Sequence, residues 1–403
     1  MTKLEALKQY FGYDSFRSAQ EELIDSILSG RDVMGVMPTG AGKSLCYQIP
    51  AMLLSGITLV VSPLISLMKD QVSKLVQAGI PGAYINSSLT SAQYKEVLRR
   101  ASNGQYKIIY AAPERLETEE FLRFALETQI SLVAVDEAHC VSQWGQDFRP
   151  SYLNIARFTN KLKNRPVVGA FTATATSEVK KDMQRLLGLQ DPLNLTTGFD
   201  RPNLYFQTAR PKSKTAYFHK IIENQRNASG IVYCATRKTV DAICADLQRH
   251  GFPAARYHAG MQDDDRRKSQ DDFLSDNALI MVATNAFGMG IDKPDVRFVI
   301  HYNMPKNPEG YYQEAGRAGR DGKPSSCLLL FSNDDIRIAE HFIDNSDNNE
   351  DLTDKERRLL YRRDVARLDK MIGYCETSSC LRAYLLRYFG EKHKGRCGNC
   401  SNC

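Results

Sequence analysis

The sequence predicts an α/β protein: two tandem parallel-sheet domains followed by a small helical unit. Three observations carry this. Short apolar runs alternate with helix-like segments through residue 208, the same alternation restarts after a polar passage, and from about residue 342 the chain becomes acidic and Asn-rich before a charged helical pattern. The domains are expected at 1–208, 209–341 and 342–403.

In the first domain the runs are "DVMGVM" (32–37), "ITLVVSP" (57–63), "KIIYAAP" (107–113), "LVAVDEAH" (132–139) and "VVGAFTATA" (167–175). Nearly continuous apolar runs of this length suit strands buried on both faces, and therefore a parallel sheet covered by helices. "TTGFDRPNLYFQTARPKSK" (196–214) is polar and turn-rich and is expected to be a linker. The second set of strands is "GIVYCAT" (230–236), "ARYHAG" (255–260), "ALIMVAT" (278–284), "VRFVIHYN" (296–303) and "SCLLLFS" (326–332). The third unit is expected to be mostly helical, with Leu359, Leu360, Val365, Leu368 and Ile372 along one side.

A chain of 403 residues with 42% hydrophobic content can bury more than one core. Its net charge of +6 permits a polyanionic partner without requiring one. No apolar run approaches the roughly 20 residues of a membrane helix, and "MTKLEALKQYFGY" lacks the apolar stretch of a signal peptide, so no membrane association and a cytoplasmic location are expected. Of ten cysteines, six (46, 140, 234, 244, 327, 375) are scattered singly and four lie near the C-terminus, a pattern of reduced thiols plus one metal site.

"MPTGAGKS" (37–44) follows an apolar strand and precedes the helical pattern "SLCYQIPAMLL". That context makes it a phosphate-binding loop, in which Gly40 and Gly42 let the backbone wrap the phosphates of ATP. Lys43 meets the β- and γ-phosphates and Ser44 ligates Mg²⁺. The pattern departs from the strict motif at Met37, where glycine is usual. "VAVDEAH" then puts Asp136 and Glu137 at the end of a buried strand, where adjacent acids are costly unless they serve an ion or a reaction. Asp136 suits Mg²⁺ and Glu137 suits the orientation and deprotonation of an attacking water. In "YYQEAGRAGRDG" (311–322), Arg317 and Arg320 stand three apart among glycines. On a helix that spacing aims both guanidiniums the same way, as stabilisation of a γ-phosphate in flight requires.

The stretch "CVSQWGQDFRPSY" (140–152) holds the only tryptophan of the chain, with Phe148 and Tyr152, in neither helical nor strand periodicity. It is expected to be a loop that presents aromatics. In "CLRAYLLRYFGEKHKGRCGNCSNC", Cys380, Cys397, Cys400 and Cys403 have the C-x16-C-x2-C-x2-C spacing of a four-thiolate structural Zn²⁺ site. Cys375 and His393 are weaker candidate ligands.

The phosphate loop, "DEAH", "FTATAT" (171–176), "VATNAFGMGIDKPDVR" (282–297) and "QEAGRAGRDG" occur in the order found in superfamily 2 helicases. With "YDSFRSAQ" (13–20), the aromatic loop and the cysteine set, the chain resembles the RecQ family of DNA helicases over nearly its whole length. The resemblance implies two RecA-like domains and a zinc-binding subdomain, with ATP, Mg²⁺ and Zn²⁺ as cofactors. It implies that Tyr13 stacks on adenine while Arg17 and Gln20 contact it, and that Thr39 belongs to the nucleotide loop. By the same resemblance, Trp144, Phe148 and Arg149 are expected to grip unpaired bases beside Asp136, Glu137 and His139, and Thr172 and Thr174 to relay between nucleotide and DNA. Ser62, Lys69, Arg115, Arg237 and Thr284 are candidate contacts to the DNA backbone. The resemblance further implies that Gln313, Arg317 and Arg320 would face the nucleotide across a cleft between the domains, with Arg320 the expected catalytic finger.

The expected partners are single-stranded and tailed duplex DNA, read without sequence preference, and the expected polarity is 3′ to 5′. Location at the nucleoid follows if the source is bacterial, while single-strand-binding or recombination proteins as further partners are not readable from the residues. The chain ends at its last metal ligand, so a core trimmed before any winged-helix domain is expected, with hydrolysis better supported than unwinding. An RNA-directed relative, or a zinc-stabilised nucleic-acid clamp with a nucleotide switch, remains an alternative reading.

Overall fold

The computed structural model describes every residue except 39, 64, 146, 288–292, 346–352 and 394, and the side chains of all described residues but 18, 65 and 66. Two compact units divide the chain, Met1–Gly198 and Phe199–Cys403.

The first unit is built on a sheet of seven strands: β1 (Val33–Val36), β2 (Ile57–Val61), β3 (Gly82–Ile85), β4 (Ile108–Ala111), β5 (Ile130–Val135), β6 (Val167–Thr172) and β7 (Leu193–Thr196). Their order is β3-β4-β2-β5-β6-β1-β7, and every pairing is parallel. Strands β1, β2 and β4 are buried at every position, as their unbroken apolar runs require. Helices cover the sheet, and two of them begin where a threonine closes a capping box, Thr2 with Glu5 and Thr90 with Gln93.

The second unit carries a six-stranded parallel sheet of β8 (Leu204–Ala209), β9 (Gly230–Tyr233), β10 (Ala254–Tyr257), β11 (Ile280–Ala283), β12 (Phe298–His301) and β13 (Ser325–Leu330), in the order β10-β11-β9-β12-β13-β8. The helices Asn333–Asp344, Asp354–Glu376 and Leu381–Tyr388 complete this unit and pack on it. Among the described residues, no helix is long and apolar enough to cross a membrane.

Three strands escaped the sequence reading. β3, β7 and β8 are all edge strands; β3 alternates half-buried with buried positions and β7 has no buried position. An edge strand needs one good face, so its apolar signal is weak. β8 corrects the expectation of a linker over 196–214, because its six residues pair in register with β13 in the second sheet. The long helix also differs from expectation: its buried positions are Arg367, Leu368, Met371 and Tyr374, whereas Leu359 is 41% exposed.

Candidate nucleotide and nucleic-acid site

In the first unit the candidate side chains gather where parallel strands end, which is where open α/β sheets place ligands. The phosphate loop follows β1, Ser62 follows β2, Arg115 follows β4, Asp136 follows β5 and Thr174 follows β6. The Met37 N–H donates to the Thr172 carbonyl at 2.9 Å, which extends the β1–β6 ladder into the loop. Gly40 and Gly42 adopt φ of +85° and +79°, the left-handed region open to glycine. A Cβ on Gly42 would lie 2.3 Å from Gln20 Nε2. That amide donates to the Ala41 and Gly42 carbonyls at 3.1 and 3.2 Å, and Arg17 donates to the Gly40 carbonyl at 2.6 Å. Arg17 and Gln20, expected to read adenine, therefore also brace the outside of the loop. Tyr13 is 57% exposed and its ring is open to stack. Thr39 lies outside the described residues.

The acid pair is held by backbone. Asp136 N donates to the Val61 carbonyl at 2.8 Å, and the buried Tyr152 hydroxyl donates to the Asp136 carbonyl at 2.9 Å. Burial, and then the Glu137 charge, push the Asp136 carboxyl up to about 6, while Lys43 pulls it back down. Such a carboxyl gains from a nearby cation, which is the fit a divalent ion needs. Glu137 has φ of +45°, one of three positive values outside glycine among the described residues. A residue of this type there costs about 1–3 kcal/mol, and such strain gathers at functional sites.

Glu137 Oε2 lies 3.3 Å from His139 Nδ1, and that nitrogen lies 2.7 Å from Thr172 Oγ1, which donates to the Thr174 carbonyl at 3.2 Å. Burial opposes charge on His139, and the Cys140 sulfur and the Glu137 carboxylate offset it so that its proton affinity is raised. Burial keeps Cys140 a thiol, so the negative charge that favours the protonated His139 ring is the Glu137 carboxylate. His139, Thr172 and Thr174 are all buried. They can transmit a change but offer DNA no surface.

The aromatic loop starts one short turn later. Gly145 is needed because a Cβ would lie 2.1 Å from the His139 carbonyl oxygen, so the loop is stacked on the backbone of His139. Ser142 Oγ donates to Asp182 at 2.7 Å and accepts from the Trp144 N–H at 3.0 Å. Trp144 and Phe148 are half-buried. Arg149 is engaged by the protein, donating to the Pro63 carbonyl at 3.0 Å and to Asp147 at 3.0 Å. Tyr152 is fully buried and supports Asp136, a role its sequence neighbours did not signal.

The candidate backbone contacts divide. Ser62 is completely buried. Lys69 lies 5.9 Å from the Tyr84 ring, and Arg115 donates to the Asn86 carbonyl at 3.2 Å while lying over Tyr94. In the second unit Arg237 is exposed at the first position of the helix Arg237–Arg249, whereas Thr284 is 8% exposed.

The arginines depart from expectation. The helix Pro308–Ala315 stops at Gly316, so Arg317 and Arg320 lie in the turns after it rather than on one helical face. Glycine ends the helix, and Gly319 then takes φ of +56°. Gln313 remains on the helix and is half-buried. Both arginines lie near the buried Tyr233 hydroxyl and draw its pKa down against the larger upward effect of burial.

The sulfurs of Cys380, Cys397, Cys400 and Cys403 lie within 4.8 Å of one another, with neighbouring pairs at 3.5, 3.9 and 4.0 Å. A tetrahedron of thiolates about 2.3 Å from a zinc ion has edges of about 3.8 Å, so the residues fit Zn²⁺. Cys375 sits on the long helix and His393 beyond the last one, and neither belongs to the cluster.

Three family models cover most of the chain: DEAD/DEAH box helicase over residues 17–182, Helicase conserved C-terminal domain over 213–322 and RecQ zinc-binding over 333–403. An ATP-dependent DNA helicase RecQ of Bacillus subtilis (strain 168) is 48% identical over 398 residues, 98% of this chain. A protein of Acanthamoeba polyphaga mimivirus that carries the name of an ATP-dependent RNA helicase is 42% identical over 98% of this chain and 71% of its own. The chain belongs to the RecQ family of superfamily 2 helicases. It spans 66% of the length of the Bacillus subtilis RecQ protein. The DEAD-box helicase Mss116 bound to ssRNA and UDP-BeF shares the fold with a TM-score of 0.70 at 16% identity, covering 96% of this chain and 89% of its own. Both sheets thus belong to the RecA-like type, and the helical C-terminal region matches the RecQ zinc-binding subdomain.

Proposed function

We propose that this chain is an ATP-dependent DNA helicase, a single-stranded-DNA-stimulated ATPase that moves 3′ to 5′ and separates tailed duplexes in repair and recombination. Tyr13 stacks on adenine, and Thr39, Gly40, Gly42 and Lys43 receive the phosphates. Ser44 and Asp136 hold Mg²⁺, which neutralises charge on the phosphates when bound. Glu137 orients the attacking water and takes its proton. Gln313, Arg317 and Arg320 act on the same nucleotide, with Arg320 stabilising the charge that spreads over the transferred phosphoryl group. The four cysteines hold structural Zn²⁺. Trp144 and Phe148 stack on bases and Lys69, Arg115 and Arg237 neutralise phosphates, so binding weakens steeply with salt.

One observation carries the reading. The catalytic acid, the relay histidine and the aromatic loop form one continuous structure, with Glu137 3.3 Å from His139 and Gly145 packed on the His139 carbonyl. A base seated on Trp144 moves backbone that touches the residue holding Glu137. The test is ATP turnover with and without single-stranded DNA, in the wild type and in Trp144→Ala. Loss of DNA stimulation with retained DNA-free turnover is expected, and undiminished stimulation would sink the coupling.

A second reading, RNA as the track, is favoured by the mimivirus relative's name. Strand displacement on matched DNA and RNA duplexes separates the two, and a preference for DNA is expected.

A further inference from the structure

The turn carrying Arg317 and Arg320 follows the cap of the helix Pro308–Ala315, and the carbonyls of the cap and of the turn point to one side chain. Arg201 donates to the Gly316 carbonyl at 3.1 Å, to Ala318 at 2.9 Å and to Gly319 at 3.0 Å. Asn203 Nδ2 adds bonds to the Gly319 and Lys323 carbonyls at 2.8 and 2.9 Å. A Cβ on Gly319 would lie 2.5 Å from that amide, so donors and turn are fitted to each other. A planar fork suits this task as an ammonium does not, and a cation is favoured where helix carbonyls converge.

Arg201 is in turn held by the C-terminal helical region. Arg382, 4% exposed on the last helix, donates to the Arg201 carbonyl at 2.7 Å and the Leu204 carbonyl at 2.6 Å and pairs with Asp200. The cysteine-bearing loop grips the same strip, since Asn399 donates to the Pro202 carbonyl at 2.9 Å and the Ser401 N–H to the Phe206 carbonyl at 2.9 Å.

We propose that Arg201 and Arg382 are positioning residues for Arg317 and Arg320, through which the C-terminal helical region sets the rate of phosphoryl transfer. The inference rests on the ATPase reading above. It follows from geometry: a group acting on a transition state loses on the order of 10²-fold in rate for a displacement of about 1 Å, whereas ground-state nucleotide binding does not depend on it.

The experiment compares the whole chain with Arg201→Ala, Arg201→Lys, Arg382→Ala and Asn203→Ala. It measures kcat and KM for DNA-stimulated ATP hydrolysis, affinity for MgADP with and without aluminium fluoride, and zinc per chain. Arg201→Ala should lower kcat by about 10- to 100-fold and weaken only the aluminium fluoride complex, with KM, MgADP affinity and zinc content kept. Arg382→Ala should follow in the same direction, Asn203→Ala more mildly, and Arg201→Lys should restore part of kcat. Unchanged kcat overturns the proposal, as does a fall in zinc content and MgADP affinity together with kcat, which marks general unfolding. If Arg201→Ala is insoluble, Asn203→Ala and Arg201→Lys decide by the same readouts. A wild type without DNA-stimulated turnover overturns the functional reading and this inference with it.

Discussion

The phosphate loop and the arginine turn are both glycine-rich bends that must aim positive charge, yet they are held at different ranges. The loop is braced by Arg17 and Gln20, 21 to 23 residues upstream. The turn is braced by Arg201, 115 to 118 residues upstream, which is itself fixed by Arg382, 181 residues further along the chain. A motif stabilised by its own neighbourhood is self-contained. One stabilised from afar makes its chemistry hostage to the folding of everything between.

The comparison can be broken at either end. Arg320→Ala should have the largest effect, lowering ATP turnover by roughly 10³-fold or more with nucleotide affinity nearly intact, as measured by steady-state hydrolysis and equilibrium binding. Glu137→Gln should come next, at about 10²- to 10⁴-fold in single-turnover hydrolysis, and ATP should still bind. If the arginine substitution instead abolished nucleotide binding, the turn would be part of the binding loop and the contrast would fail.

Smaller effects sharpen the contrast. Trp144→Ala should weaken single-stranded DNA by about 1–3 kcal/mol in a titration at fixed salt. Stripping zinc with a chelator should lower the melting midpoint by about 10 °C, because removing a metal site costs a few kcal/mol in a unit of this size, and calorimetry reads it directly. Gln20→Ala should cost the loop about 1 kcal/mol of hydrogen bonding, raising KM for ATP several-fold at unchanged kcat. That pattern is the reverse of the one expected for Arg201.

Much of the site was legible because its chemistry is written in short runs. Strand, glycine loop and helix mark the proposed phosphate site, adjacent acids at a strand end mark the proposed metal and water site, and the cysteine spacing marks the four sulfurs that the structure brings within 4.8 Å of one another. Burial was not legible. Ser62 was expected to contact the DNA backbone but is completely buried, whereas Thr172 and Thr174, expected to relay rather than to touch DNA, are each under 4% exposed. Nor was the end of the helix before Arg317, since three-residue spacing suits a helix face until Gly316 and Gly319 terminate it. Arg201 gave no signal at all, because a lone arginine in a polar passage reads as solvated surface.

From the residues alone come the α/β class, two parallel sheets with a helical appendage, and the identity of the nucleotide, acid and cysteine motifs. These depend on apolar runs and fixed local spacings, which act over a few turns or strand lengths of chain. The packing of the folded chain decided that 204–209 is a strand, that His139 is wedged between Glu137 and Thr172, and that one guanidinium fills three carbonyls of the arginine turn. Edge pairing, burial and long-range hydrogen bonds have partners remote in sequence, so they exist only once the chain has closed on itself.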